Sequence, residues 1–190
     1  MELASKNDVK RIHPHKFTLW VAMGSIIMMF AGLTSAYIVK KNQSNWLEFG
    51  LPIVFYYSTV VILASSVTIH LSFKAFKARE MNRYRMLILI TAILGILFMG
   101  LQFAGFANLE SRNIPLFGVK SNAATSFLGI ITGLHMVHVL GGVVAIVVIV
   151  IRAYFSKIKN YSSIPIEIVS TYWHFVDILW IYLFIFFNWL

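Results

Sequence analysis

Five apolar stretches, each about 20 residues or longer, leave this chain few ways to fold. They run roughly over residues 17–39, 51–73, 86–106, 124–151 and 168–190. At 1.5 Å per residue, each is long enough as a helix to cross a hydrocarbon core of about 30 Å. Shorter runs would have allowed the buried helices of a water-soluble core. The expected fold is therefore all-α: a polytopic membrane helix bundle of five transmembrane helices.

Composition agrees. Of 190 residues, 59% are hydrophobic and 12% charged, about half the charged fraction usual in a soluble domain. Most side chains must face lipid or other helices. The first run is too long for a signal-peptide core of about 7–15 residues, and an extended hydrophilic segment precedes it. It is read as a retained helix behind a polar cytoplasmic arm, residues 1–16, with 17–190 forming a single transmembrane domain. Connections are short, with no Pro/Gly/Ser-rich linker. No internal repeat points to the inverted halves of a transporter.

The net charge of +9 would suit a nucleic-acid binder, but the basic residues stand in short loops between apolar runs. Lys6, Lys10, Arg11, Lys16, Lys74, Lys77, Arg79, Arg83, Arg85, Arg152, Lys157 and Lys159 fall on one side; Lys40, Lys41, Arg112 and Lys120 fall on the other. Positive residues favour the cytoplasmic side, so the N-terminus is expected inside and Leu190 outside, with no nucleic-acid partner. Trp20, Trp46 and Trp189 lie near run ends, as interfacial anchors do.

Small residues let helices approach closely in lipid, where no hydrophobic drive exists between them. Gly129 and Gly133 form a G-x-x-x-G followed by Gly141 and Gly142; Gly24, Gly32 and Ser35 in the first run, and Ser65 and Ser66 in the second, are read the same way. Gln102, near one face with Thr91 and Gly95, reads as interhelical hydrogen-bonding glue. His70 is read as an interfacial residue that snorkels, and the Lys74–Arg85 stretch as a solvated loop meeting lipid headgroups.

The costly residues are His135, His138, His174 and Asp177, with Glu167 near the inner boundary. An aspartate at a helix centre costs roughly 2.5–3.5 kcal/mol, so Asp177 needs a partner or a neutral form. Measured from the inner ends of their runs, His138 lies about 20 Å deep and Asp177 about 14 Å. The expectation is that His135 or His138 hydrogen-bonds across to the His174/Asp177 pair, with Glu167 joining from below. Three readings compete: a structural polar cluster tying the fourth helix to the fifth, a haem site with two axial histidines, and a carboxylate–histidine metal or proton-relay site. The structural reading is favoured, because His135 and His138 at i,i+3 on one helix are badly placed to clamp a haem from both faces. His13 and His15 flank Pro14 in the arm and carry little weight for metal. No cysteine, phosphate loop, nucleophile elbow or H-E-x-x-H is present. No catalytic, cofactor-binding or metal residue is therefore assigned.

Three segments then carry a resemblance. Tyr172-Trp173-His174-Phe175-Val176-Asp177, continued by Leu179-Trp180, follows Glu167 and, further upstream, Gly133-Leu134-His135-Met136-Val137-His138-Val139. In this order and spacing they resemble subunit III of the haem–copper oxidases, a family spanning cytochrome c and quinol oxidases. Thr91, Leu94, Gly95, Phe98 and Gln102, and Leu19-Trp20 through Ser25, look like two earlier family helices. The chain is similar to the five-helix bacterial form from about Leu19 onward. Two departures stand out: Ile26 and Gly105 occupy positions where the family motifs carry glutamates.

The resemblance implies an accessory, non-redox subunit of a respiratory terminal oxidase that reduces oxygen to water and pumps protons. Haems and copper are then expected on partner subunits and none on this chain, which would pack against subunit I, stabilise it and sustain its turnover. Bound phospholipid, other oxidase subunits and a bacterial inner membrane complete the expectation. The rivals are a haem-bearing electron-transfer subunit and an independent small transporter.

Overall fold

The computed structural model describes residues 14–41, 50–112, 114–116, 118, 121–155 and 163–189. Five helices account for nearly all of them: α1 (Pro14–Lys41), α2 (Ile53–Lys77), α3 (Met81–Ser111), α4 (Ala123–Phe155) and α5 (Ile164–Trp189). All five are long and apolar enough to cross a membrane. Most overshoot the apolar runs that announce them. The 31 residues of α3 extend about 46 Å, well past a hydrocarbon core of about 30 Å. Hydropathy marks the lipid tails, while the helix carries its polar ends on into the headgroup layer.

Local chemistry sets the ends. α2 closes where Glu80 N–H bonds to Ala75 C=O and Arg79 N–H to Phe76 C=O, a Schellman closure with Arg79 at φ 64° in the position glycine usually holds. Three residues then return the chain into α3, and α2 and α3 pack together more extensively than any other pair. Asn122 accepts a bond from Ala124 N–H at the start of α4, the usual service of an N-cap asparagine.

Helices α2, α3, α4 and α5 form a closed ring in which each touches the next and α5 returns to α2; α1 lies outside it, against α4 and α5. Trp173 and Trp180 from α5 and Phe55, Phe98 and Ile62 from α2 and α3 fill the ring. A smaller cluster of Phe30, Tyr37, Ile131, Leu179, Leu183 and Phe186 holds α1 to the groove. Thr34 and Tyr182 hydroxyls meet at 3.0 Å, and Lys16 pairs with Glu167 at 2.6 Å. Long aliphatic side chains such as Met28, Val60, Val137 and Ile178 cover the outside.

Trp173 explains how the ring closes so tightly. Fully buried, its indole lies between α3 and α4, where a Cβ added at Gly95 would stand 2.8 Å from the ring and one at Gly142 2.9 Å from it. Any larger residue at either place overlaps a rigid ring. Gly95→Ala and Gly142→Ala should each destabilise the purified chain by about 1–3 kcal/mol, the usual cost of overpacking. Gly133→Ala, with nothing within 4 Å of its Cβ, should leave the unfolding midpoint in denaturing detergent unchanged.

Candidate functional site

The buried polar side chains centre on α2. Ser58 and Ser65 are fully buried, and each donates its hydroxyl proton to its own helix: Ser58 to Phe55 C=O, Ser65 to Ile62 C=O. Thr59 does the same toward Phe55 C=O. A hydroxyl has one proton and two lone pairs, so each oxygen remains an acceptor facing the ring. Donors from both neighbours use them. Gln102 of α3 bonds to Ser58 at 3.0 Å. From α5, Trp173 bonds to Ser65 at 3.0 Å and Trp180 to Thr59 at 2.9 Å. Thr68 meets Thr91 of α3 at 2.9 Å. Spaced seven apart, 58 and 65 share one stripe of the helix and 59 and 66 the next.

Trp180 also stacks on His135 at 5.2 Å between ring centroids, and Phe98 and Phe30 present their edges to that imidazole. His135 is fully buried, with neither ring nitrogen hydrogen-bonded among the described residues. The Thr132 hydroxyl, one turn earlier, is likewise unpaired.

The expected polar cluster is dispersed. His138 turns Nδ1 onto Leu134 C=O of its own helix at 2.7 Å; the link from its turn to α5 runs instead from Tyr172 Oη to His138 C=O. His174 faces α2, where Ser66 Oγ meets its Nδ1 at 2.7 Å and His70 stands 6.1 Å away between ring centroids. Asp177 is buried, and neither carboxyl oxygen has a hydrogen-bond partner among the described residues. Glu167 belongs to none of this; its partner is Lys16 of α1. The expected bonds from His135 or His138 to His174 and Asp177 are therefore not formed among the described residues. Depth along the helices matches α5 to α4 alone, whereas the His174 side of α5 packs on α2.

The glycines divide too. Gly142 is the tight approach and Gly129 is buried, whereas Gly133 has open space and Gly141 is exposed, with Tyr172 Oη at 3.9 Å. Gly133 lies nine residues before Gly142, about half a turn round the helix, so the two cannot face the same neighbour. Gly24 and Gly32 of α1 also meet nothing within 4 Å, and Ser35 is exposed. Of the aromatic anchors, Trp20 and Trp189 are exposed, and Trp46 lies outside the described residues, as do His13, Lys6, Lys10 and Arg11 of the arm. The Phe55 ring stands 3.0 Å from where a Cβ at Gly105 would lie, and Ile26 packs in the α1 cluster.

Sequence reasoning gave no role to Trp173, Trp180, Ser58 or Thr59. The signal was present: an indole N–H in lipid needs an acceptor, and α2 offers the hydroxyls of Ser65 and Thr59 to Trp173 and Trp180. Among the described residues, no three of His, Cys, Asp or Glu come together to hold a metal ion.

A pair of double-mutant cycles checks this layout. Trp173→Phe with Ser65→Ala should show a coupling energy of about 0.6 kcal/mol, up to about 1.7, the range for interhelical bonds in membranes. Asp177→Asn with His138→Ala should add within about 0.3–0.5 kcal/mol, because no bond joins them.

Comparison with known proteins places this arrangement. The family described as cytochrome c oxidase subunit III matches residues 44–190. A probable cytochrome c oxidase subunit 3 from Nocardia farcinica is 32% identical, over 92% of this chain and 90% of that protein. A cytochrome c oxidase subunit 3 from Corynebacterium diphtheriae is 30% identical, over 87% of this chain and 85% of that protein. One from Bacillus sp. PS3 is 26% identical, over 87% and 80%. A five-helix bundle with its polar groups spent between helices, matched along most of its length by these proteins, belongs to the cytochrome c oxidase subunit III family.

Proposed function

We propose that this chain is the accessory, non-redox subunit III of a terminal oxidase of the cytochrome c oxidase type, which reduces oxygen to water and pumps protons. It packs against the haem-bearing subunit I and prolongs its active turnover. Subunit I and the other oxidase subunits hold the haems and copper, and membrane phospholipid fills the grooves between helices. The basic loops face the cytoplasm, which puts the N-terminus inside and the C-terminus outside in a bacterial inner membrane, with residues 17–190 as one transmembrane domain.

The observation that carries this reading is how the buried donors are used. Trp173, Trp180 and Gln102 each bond to an α2 hydroxyl, so the polar groups serve to hold helices together. His135 is enclosed by Trp180, Phe98 and Phe30, a packing that supports a structural place for this ring over axial ligation of a haem.

Gentle purification of the tagged chain from its own membranes tests the proposal. Haem–copper subunits and oxygen uptake should come with it, and the reduced-minus-oxidised spectrum should stay with the partners once this chain is separated. Gly142→Ala should shorten the period of active turnover while leaving the initial rate near that of the unaltered complex. A colourless oligomer of this chain alone, with no partner, would overturn the assignment.

A further inference from the structure

Two imidazoles stand together on the wall of the bundle where α2 meets α5. His70 of α2 is exposed and His174 of α5 is half-buried, and their ring centroids lie 6.1 Å apart with the rings tilted by 58°. They belong to different helices, so the pair exists only because α5 closes against α2. A neutral imidazole offers one ring-nitrogen lone pair and is the commonest metal ligand among side chains.

The spacing suits a single ion between the rings. A zinc-class cation binds a ring nitrogen at about 2.0–2.1 Å, and the centroid lies about 1.1 Å beyond that nitrogen, so each centroid would stand about 3.2 Å from the metal. Two such rings are about 6.4 Å apart when they oppose each other across the ion, and about 5.2 Å apart at the tetrahedral angle. The observed separation falls between these values. Closing it to the tetrahedral one takes about 1 Å, which rotation of the exposed His70 side chain supplies without moving either helix.

Ser66 adds what separates a ligand histidine from a bystander. Its hydroxyl meets His174 Nδ1 at 2.7 Å. A metal-bound imidazole nearly always gives its other ring N–H to a fixed acceptor, which sets the tautomer and aims the lone pair. With Nδ1–H donated to Ser66 Oγ, the lone pair of His174 resides on Nε2. Ser66 and His70 are about one turn apart on α2, so the helix that supplies one ligand also orients the other.

We propose that His70 and His174 form a two-histidine site for a divalent transition metal of the zinc class, with Ser66 as its positioning residue. Imidazole donors suit zinc, copper and nickel, whereas magnesium and calcium take oxygen ligands. Among the described residues no third His, Cys, Asp or Glu joins the pair, so the ion keeps open positions and exchanges with solution, unlike the closed four-ligand sites that hold folds together. Lys74, one turn beyond His70, is exposed, and its long chain carries the ammonium out to the headgroups, away from the ion. The neighbouring histidines of α4 are engaged elsewhere: His138 Nδ1 is turned onto its own helix, and aromatic rings enclose His135. This inference does not depend on the accessory-subunit reading, because its test measures metal on the chain alone.

The test is calorimetric titration of Zn2+ into the full chain, free of any histidine tag, in nanodiscs of zwitterionic lipid. Electron paramagnetic resonance of Cu2+ bound in place of Zn2+ reports the ligands, and its signal should show coupling to two imidazole nitrogens. His70→Ala and His174→Gln should each abolish saturable binding at this pair; His70→Ala, at an exposed position, keeps the test open if His174→Gln does not fold. Ser66→Ala should weaken Zn2+ by about 10–100-fold, the usual cost of losing a ligand histidine's second bond, while both nitrogens stay in the Cu2+ signal. Replacing His13 and His15 of the arm together should leave the binding constant unchanged. No saturable binding, binding that keeps its strength in His70→Ala, or binding lost only with His13 and His15 would overturn the site.

Discussion

The ring stands on the bond between an indole N–H and a serine oxygen whose own proton is already engaged. Ser65 gives its proton to Ile62 C=O and accepts from Trp173, so neither partner is left unsatisfied in a solvent that offers no water. In lipid, the hydrophobic effect does not bring helices together; packing and such bonds must. Trp173 supplies both at once. The same ring that donates to α2 fills the space left by Gly95 and Gly142, so one side chain of α5 joins three other helices. Its size makes the glycines necessary, and the glycines make its position unique.

Helix α1 is held by different means. Among the described residues it touches only α4 and α5, and its contacts include an aromatic cluster around Phe30 and Tyr37, the Thr34–Tyr182 hydroxyl pair and the partly exposed Lys16–Glu167 ion pair. An ion pair with that exposure contributes about 0–1 kcal/mol. The glycines of α1 face open space instead of another helix of the chain. The molecule thus divides physically into a ring locked by buried donors and a fifth helix packed onto it. Gly105 fits this account: a Cβ there would stand 3.0 Å from the Phe55 ring, which fills the space a side chain would need.

How much of this was legible in the sequence depends on what each signal measures. Run length identified all five helices, because crossing hydrocarbon is a property of a single segment. It misplaced their ends, since hydropathy stops at the lipid tails while α3 continues through Asn82, Arg83 and Arg85 at one end and to Ser111 at the other. The polar residues were found, because each is conspicuous in an apolar run, but their partners were not. His174 and Asp177 at i,i+3 share a side of α5, yet spacing along one helix does not say which neighbour that side meets. Depth along the helices pointed to α4, and the ring gave the place to α2. Gly142 was picked out together with Gly141, and only the helix's rotation decides between adjacent residues. The hydroxyls of α2 were missed for a related reason. Ser and Thr are so common in membrane helices that their role emerges only when a donor is found opposite.

What remains is a contrast among the buried polar groups. Where donor and acceptor match, as at Trp173–Ser65, Trp180–Thr59 and Gln102–Ser58, the bonds are short. Among the described residues Asp177, His135 and Thr132 have no close partner, nor have Ser72, Asn108 and the Gln102 carbonyl oxygen. An unpaired group in hydrocarbon carries its full desolvation cost, about 1–3 kcal/mol or more, which a purely structural residue could avoid by being apolar. His135 offsets part of that cost by stacking on Trp180, and its ring fills space much as an aromatic hydrocarbon would. Asp177 has no such compensation: a carboxyl is small, packs poorly and is replaceable by asparagine or leucine where only volume is needed.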